Sequence, residues 1–368
     1  MKGRNGSGRL KRGAVVNGAG RFDDDGDAVR AGDEAGGAGA GASGGREASG
    51  RPALVVCDLD GTLLDYHSTP VPGVLRAVAA LRAAAVPVVI CTGRAVAPTR
   101  ALAARLGLEH GVAIVYHGAV VVDVAGGRWL QRLDLPREAV APLVTALQGA
   151  GATLTAYVDD ERWVQAATGI DGAGAATGGA PAKVPVSPPT VLRPQRHLAA
   201  ALDGVAVTRL IIALPDGPGG RDGTATALGA AIAPGDATPG AATAYGMAAT
   251  ELPGEPLAGV LDEATARWPD LAVSRAAPGY LEVHHARADK RTALVGLCAR
   301  LGVPAGAVVA CGDGAPDAGM LSWAGMGVAI AEGNERAVSA ADVVVARDEL
   351  ADLLTSLAAP TDGPARRR

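Results

Sequence analysis

Rings are scarce in this sequence. Aromatic residues make up 3% of 368, with a single Phe, too few for the extended platforms on which single-stranded nucleic acids stack. Positive charge is not in excess either: 34 Lys and Arg stand against 38 Asp and Glu, so no broad cationic surface points to nucleic acid or anionic lipid. No apolar run is long enough to span a bilayer, and no stretch of signal-peptide length follows the basic N-terminal residues. A cytoplasmic protein, without membrane or nucleic-acid partners, is the expectation. Cysteine is sparse too. Cys57, Cys91, Cys298 and Cys311 lack the paired spacing of a zinc site and are too few for a disulfide framework, so they read as small buried residues. A small molecule is the partner that remains, and no residue pattern fixes an oligomeric state.

What is abundant is apolar surface, 48% of the chain, enough for about two domains. Residues 1–50 are an exception. They are rich in Gly, Ala, Arg and Asp without apolar period and are expected to be disordered. GAGASG at 39–44 matches a dinucleotide-binding pattern only formally, because no strand precedes it and no amphipathic helix follows. DDDGD at 23–27 lacks the EF-hand positions and reads as solvated charge.

From residue 53 strand-like and helix-like segments alternate at the pace of parallel βαβ units: ALVVC, a helix from Val71 to about Ala85, VPVVICTGR, a helix from about Val96 to Leu106, and VAIVYHGAVVVD. The rhythm returns with a helix over 289–301, AVVACGD at 307–313, a short helix after Pro316, MGVAI, ADVVVA and a last helix. Residues 51–132 and 278–358 therefore predict one α/β, Rossmann-like parallel-sheet core. Residues 133–277 predict an α+β insertion, with helices near 137–150 and 255–268 and strands TLTAYVD, RWVQAAT and TRLIIALP, interrupted by Gly, Pro and Ala stretches. The last residues, 359–368, read as a frayed tail.

In open α/β sheets the ligand sits beyond the carboxyl ends of the strands, and the unusual polar groups fall there. ALVVCDLDGTLLD at 53–65 ends its strand on Asp58 and Asp60, Thr92 ends the next, and Asp313 ends a third. Alternate residues of an extended chain point the same way, so Asp58 and Asp60 share a pocket, and Gly61 and Thr62 allow a sharp turn. Two facing carboxylates need a cation. Hard oxygen donors suit Mg²⁺, which binds through one or two carboxylates plus a substrate phosphate.

DLDGT at 58–62, TGR at 92–94, Lys290 and GDGAPD at 312–317 occur in the order seen in haloacid dehalogenase-like phosphatases, and the set resembles the Cof-type branch. YLEVHHARADKRTAL and GVAIAEGNERAVSAADVVV add local likeness, and the insertion resembles that branch's cap domain. The resemblance covers most of residues 53–357. It implies an Mg²⁺-dependent phosphatase acting on a small phosphorylated metabolite, a sugar phosphate or similar. Asp58 would be the nucleophile forming an aspartyl-phosphate, and Asp60 the general acid and base. Thr92 and Lys290 would bind and neutralise the phosphoryl group, with Gly61, Thr62, Gly93 and Arg94 as further phosphate contacts. Asp313 and Asp317 would complete the metal site with Asp58 and the Asp60 carbonyl.

There are departures. Pro316 stands where the family's fourth motif usually has Asn, His117 where the branch more often has Asn, and Arg291 where Gly usually follows the lysine. They motivate one alternative, a non-catalytic phosphate-binding or regulatory module; a phosphomutase is a further one. Each site residue also has a plainer role: strand-end or turn residue for Asp58 and Asp60, helix cap for Thr92, solvated helix residue for Lys290, helix N-terminal acid for Asp317. His284 and His285 are consecutive, point to opposite faces of a strand and read as structural.

Overall fold

The computed structural model describes residues 51–165, 191–213, 255–277 and 280–359, plus the backbone of three short strands, Val15–Val16, Gly20–Phe22 and Ala28–Val29. Those three pair as an antiparallel meander, regular structure inside the segment expected to have none. The GAGASG and DDDGD runs, the interrupting Gly/Pro/Ala stretches and the tail from 360 lie outside the described residues.

The core sheet starts with β1 (Leu54–Cys57), whose residues are all buried. Val55 and Cys57 face one apolar layer while Leu54 and Val56 face the other, the signature of a parallel strand covered on both sides. Helix α1 (Val74–Ala83) follows and buries Val74, Ala77, Val78 and Leu81, one face at helical spacing. Then come β2 (Val88–Cys91), α2 (Val96–Arg105) and β3 (Val112–Val115), all at the expected positions.

VAIVYHGAVVVD does not continue as one strand. The chain reverses at Tyr116 (φ 52°), His117 (φ 53°) and Gly118 (φ 105°), so β4 (Val120–Asp123) pairs antiparallel to β3, and β5 (Trp129–Arg132) pairs antiparallel to β4. A parallel neighbour needs a crossover that this short turn cannot supply.

The insertion contributes α3 (Arg137–Gly149), β6 (Thr153–Val158), β7 (Glu161–Gln165), β8 (Leu192–Gln195), β9 (Arg209–Ala213), α4 (Glu255–Arg267) and β10 (Leu271–Ala277). The next strand, β11 (Tyr280–His285), corrects the expected boundary at 278. It lies between β9 and β10 in a six-stranded sheet of order β8-β7-β6-β9-β11-β10. Its inward row of apolar residues, Leu281 and Val283, packs with Leu210 and Ile212 under α3 and α4. The opposite face carries Tyr157, Ile211 and Tyr280 into the core's apolar cluster, so the insertion is seated on the core.

The second core block supplies α5 (Lys290–Leu301), β12 (Val308–Gly312), α6 (Ala318–Trp323), β13 (Met326–Ile330), α7 (Glu335–Ala340), β14 (Val343–Val345) and α8 (Leu350–Ala358). The sheet order is β14-β13-β12-β1-β2-β3-β4-β5. Chain blocks more than 200 residues apart meet at β12 and β1, where Cys311 stands opposite Cys57. That pairing brings the GDGAPD turn beside DLDGT. Among the described residues no helix is long and apolar enough to cross a membrane.

Candidate active site

Three carboxylates meet at the carboxyl edge of β1 and β12. Asp58, Asp313 and Asp317 are 6%, 7% and 1% exposed, and each offers an oxygen within 4.8 Å of the others. Between two of them lies Lys290, the first residue of α5, whose Nζ donates to Asp58 Oδ1 at 2.7 Å and to Asp317 Oδ1 at 2.6 Å. Asp289 positions it by accepting from Thr292 N as the helix N-cap, at 2.9 Å.

The turns are built around these carboxylates. Gly61 has φ 84°, and a Cβ there would lie 2.1 Å from Asp313 Oδ2. Only glycine lets the backbone come that close. Asp313 Oδ1 accepts from Thr62 Oγ1 at 3.1 Å and Oδ2 from the Tyr66 hydroxyl at 3.2 Å. Asp317 Oδ2 accepts from the backbone N–H of Asp313 at 3.1 Å and Gly314 at 2.8 Å.

Burial pushes the Asp58 carboxyl well above the usual range; Lys290 opposes this, and Asp317 and Asp313 add to it. Asp313 is pushed up to about 6 by burial and by Asp317. Lys290 runs the other way: burial opposes its charge, but Asp317 and Asp58 outweigh that and hold the ammonium firmly protonated. Three acids and one ammonium leave a formal deficit of positive charge that a divalent cation fits. The donors are all hard oxygens, which suits Mg²⁺.

The remaining predicted residues are placed as follows. Asp60 does not share the carboxylate cluster with its side chain. It is gripped by Arg94, Nε to Oδ2 at 2.7 Å and Nη2 to Oδ1 at 2.5 Å, and Arg94 also donates to Ser68 Oγ at 2.8 Å. Arg94, expected at the phosphate, is thus committed to Asp60, and the backbone N–H groups of Gly61 and Thr62, expected as donors there too, donate within their own turn, to Leu64 O at 2.8 Å and Leu59 O at 3.3 Å. Thr92 is buried at the end of β2, and its Oγ1 accepts from Arg94 N at 3.3 Å. Gly93 is covered by His117, whose ring a Gly93 Cβ would meet at 2.2 Å. His284 and His285 are buried, with His284 Nδ1 3.0 Å from the His285 carbonyl oxygen. All four cysteines are buried and unpaired as disulfides.

Several residues at the site had no signal in the sequence. Tyr66 touches Asp313, and Arg347 donates to Gly61 O at 2.8 Å and to the Tyr66 hydroxyl at 3.2 Å while lying over its ring. From the insertion, Arg209 donates to Gly93 O at 3.1 Å and Asp160 accepts from Val96 N and Ala97 N at 2.7 Å each. These are pairings between chain-distant positions, with no local spacing to betray them.

A family model for haloacid dehalogenase-like hydrolases matches residues 55–178 and 254–351, more than half of the chain. The chain belongs to the haloacid dehalogenase-like hydrolases. A 59-residue stretch, 16% of the chain, is 48% identical to a phosphoglycolate phosphatase of Methanopyrus kandleri, and spans a quarter of that protein's length. A haloacid dehalogenase-like hydrolase of Bacteroides thetaiotaomicron shares the fold with TM-score 0.61 at 20% identity, over 83% of this chain and all of that one. A subclass IIB sugar phosphatase does so with TM-score 0.54 at 16% identity, over 83% of this chain and 97% of that one.

Within this haloacid dehalogenase-like hydrolase the departures find places. Pro316 lies in the first turn of the 3₁₀ segment Ala315–Asp317, where no N–H is needed, and it leaves Asp317 on Lys290. Arg291 is exposed. His117 is built into the wall behind Gly93.

Proposed function

We propose that the chain is a divalent-cation-dependent phosphatase that hydrolyses a small phosphorylated metabolite, a sugar phosphate or similar, through an aspartyl-phosphate on Asp58. The observation that carries this reading is the buried trio Asp58, Asp313 and Asp317, with Lys290 bridging Asp58 and Asp317. The named activities of the phosphoglycolate phosphatase and the sugar phosphatase support the substrate class.

Asp58, Asp313, Asp317 and the Asp60 carbonyl would hold Mg²⁺. Bound there, the ion would offset the charge of nucleophile and phosphoryl oxygens. Asp58 would attack phosphorus in line while Asp60 gives a proton to the leaving oxygen. Asp60 would then take a proton from the water that attacks the aspartyl-phosphate, which frees phosphate and restores Asp58. The Arg94 fork would fix the direction of the Asp60 carboxyl through both steps. Lys290 would stabilise the charge gathering between Asp58 and the transferring group, and the Thr92 hydroxyl would donate to a phosphoryl oxygen. The insertion would be the cap that closes over the metabolite.

The test is phosphate release from a panel of sugar, nucleotide and cofactor phosphates with and without Mg²⁺. Turnover of at least one in Mg²⁺, none in excess chelator and none by Asp58→Asn is expected. Wild-type rates in Asp58→Asn would reject Asp58 as the nucleophile.

A further inference from the structure

The sheet of the insertion reaches the phosphate-binding turn through two residues that the proposed chemistry does not use. Arg209, at the start of β9, is 4% exposed and lies between two tyrosine rings, 4.7 Å from Tyr116 and 4.3 Å from Tyr157. Its Nη1 donates to Gly93 O at 3.1 Å and reaches Glu282 Oε1 on β11 at 3.4 Å. Asp160, in the turn between β6 and β7, accepts from the first amides of α2, Val96 N and Ala97 N, and from the Tyr116 hydroxyl at 2.5 Å. The insertion therefore holds both ends of the segment 93–97.

A peptide unit is planar, and its C=O and N–H point in opposite directions. The Gly93 carbonyl taken by Arg209 belongs to the same unit as the Arg94 N–H, which donates to Thr92 Oγ1 at 3.3 Å. Arg209 thereby fixes the plane whose far side supplies a donor to the Thr92 oxygen. With its oxygen accepting, the Thr92 hydroxyl keeps its own proton for an outward acceptor. The same plane carries the Cα from which the Arg94 guanidinium reaches Asp60. One contact from the insertion is thus linked to two groups of the reaction.

We infer that Arg209 and Asp160 are positioning residues, which set the Gly93–Arg94 peptide plane so that the Thr92 hydroxyl donates to the phosphoryl group only when the insertion is seated on the core. The inference rests on the phosphatase reading. Seating would then arm the phosphate turn for any phosphate ester, whatever the rest of the substrate. A loss of registry of about 1 Å at such a turn costs on the order of 10²-fold in rate.

The experiment uses p-nitrophenyl phosphate and inorganic phosphate, ligands small enough to need no specificity contacts with the insertion. Arg209→Met is combined with Glu282→Gln so that no unpaired carboxylate is left buried. Asp160→Ala, at a half-exposed turn, serves as the second variant, and Arg209→Lys as the conservative one. Melting curves give the folded fraction, kinetics give kcat, and calorimetry gives the affinity for phosphate. The expected result is a fall in kcat of ~10- to 100-fold for the double variant and a smaller one for Asp160→Ala. Phosphate binding should weaken in parallel, and Arg209→Lys, which still donates to Gly93 O, should recover most of both.

Should the double variant fail to fold, Asp160→Ala and Arg209→Lys decide. Unchanged kcat and phosphate affinity in folded Asp160→Ala, or in the folded double variant, overturn the inference. So does an Arg209→Lys as impaired as the double variant. A wild-type protein that binds phosphate without turnover would defeat the phosphatase reading alone, and loss of that binding in the variants would still support the positioning role. Wild type showing neither overturns both.

Discussion

Lys290 stands 2.7 Å from Asp58 and 2.6 Å from Asp317 with 3% of its surface exposed, so Lys290→Met leaves two buried carboxylates facing each other without a cation. Breaking a buried pair from one side costs about 3–5 kcal/mol. Urea denaturation in chelator should show a loss of that order, partly recovered by Mg²⁺, and phosphate release should be abolished. His117 gives a pH dependence. Burial, with help from Lys290 and Arg209 and against Glu282, lowers its pKa from 6.5 to about 3. The folded state thus keeps the imidazole neutral at pH values where the unfolded chain already takes up a proton. Stability is full above pH 6.5 and declines as pH falls from there towards about 3. Between pH 6.5 and 5 the loss reaches about 2 kcal/mol. Asp313 and Asp58, whose raised pKa values favour the fold as pH falls, titrate in both proteins, so chemical denaturation at those two pH values should show wild type losing about 2 kcal/mol relative to His117→Gln; equal slopes in both would contradict it. The strand-end carboxylates Asp58, Asp60 and Asp313 were legible one by one, because carboxylates next to apolar runs are costly without a task, whereas Lys290 and Asp317, on helical segments, stood out only through the family resemblance. The carboxylates' partners were not legible: nothing near Asp60 in sequence announces Arg94, 34 positions away, and nothing near Asp313 announces Tyr66.

At the scale of the element, the turn after β1 is the most constrained. Gly61→Ala meets both a positive φ and Asp313 Oδ2 at 2.1 Å, so the turn or the carboxylate must shift. A loss of about 1–3 kcal/mol and a fall in turnover of at least ~10-fold are expected, with Mg²⁺ affinity weakened in a titration. Unaltered Mg²⁺ affinity would show that Asp313 does not depend on this turn. Helices and strands were legible where period and burial agree, as in α1 and β1. The two misread places have physical causes. Positive φ at Tyr116 is a conformation that residue rarely adopts, so Gly118 was a local mark of the reversal before β4 too slight to break an apolar run. β11 is buried on both faces like a core strand, and only its partners β9 and β10 assign it to the other sheet.

For the whole molecule, the parallel core and the insertion followed from the alternation of segments, whereas the seating of one on the other rests on Arg209, Asp160 and the Tyr157 face, which no periodicity reports. A cation that binds only the assembled site must stabilise the fold, by about 2.7 kcal/mol at a concentration 100 times its dissociation constant. Melting curves with Mg²⁺ and with chelator should differ accordingly in wild type and coincide in Asp313→Asn. Phosphorylation of Asp58 is decided by acid-quenching the protein during turnover of a phosphate-labelled substrate. Hydroxylamine-labile label on the peptide containing Asp58 in wild type, and none in Asp58→Asn, is the predicted result. Label of equal amount in Asp58→Asn, or on another peptide, would contradict it.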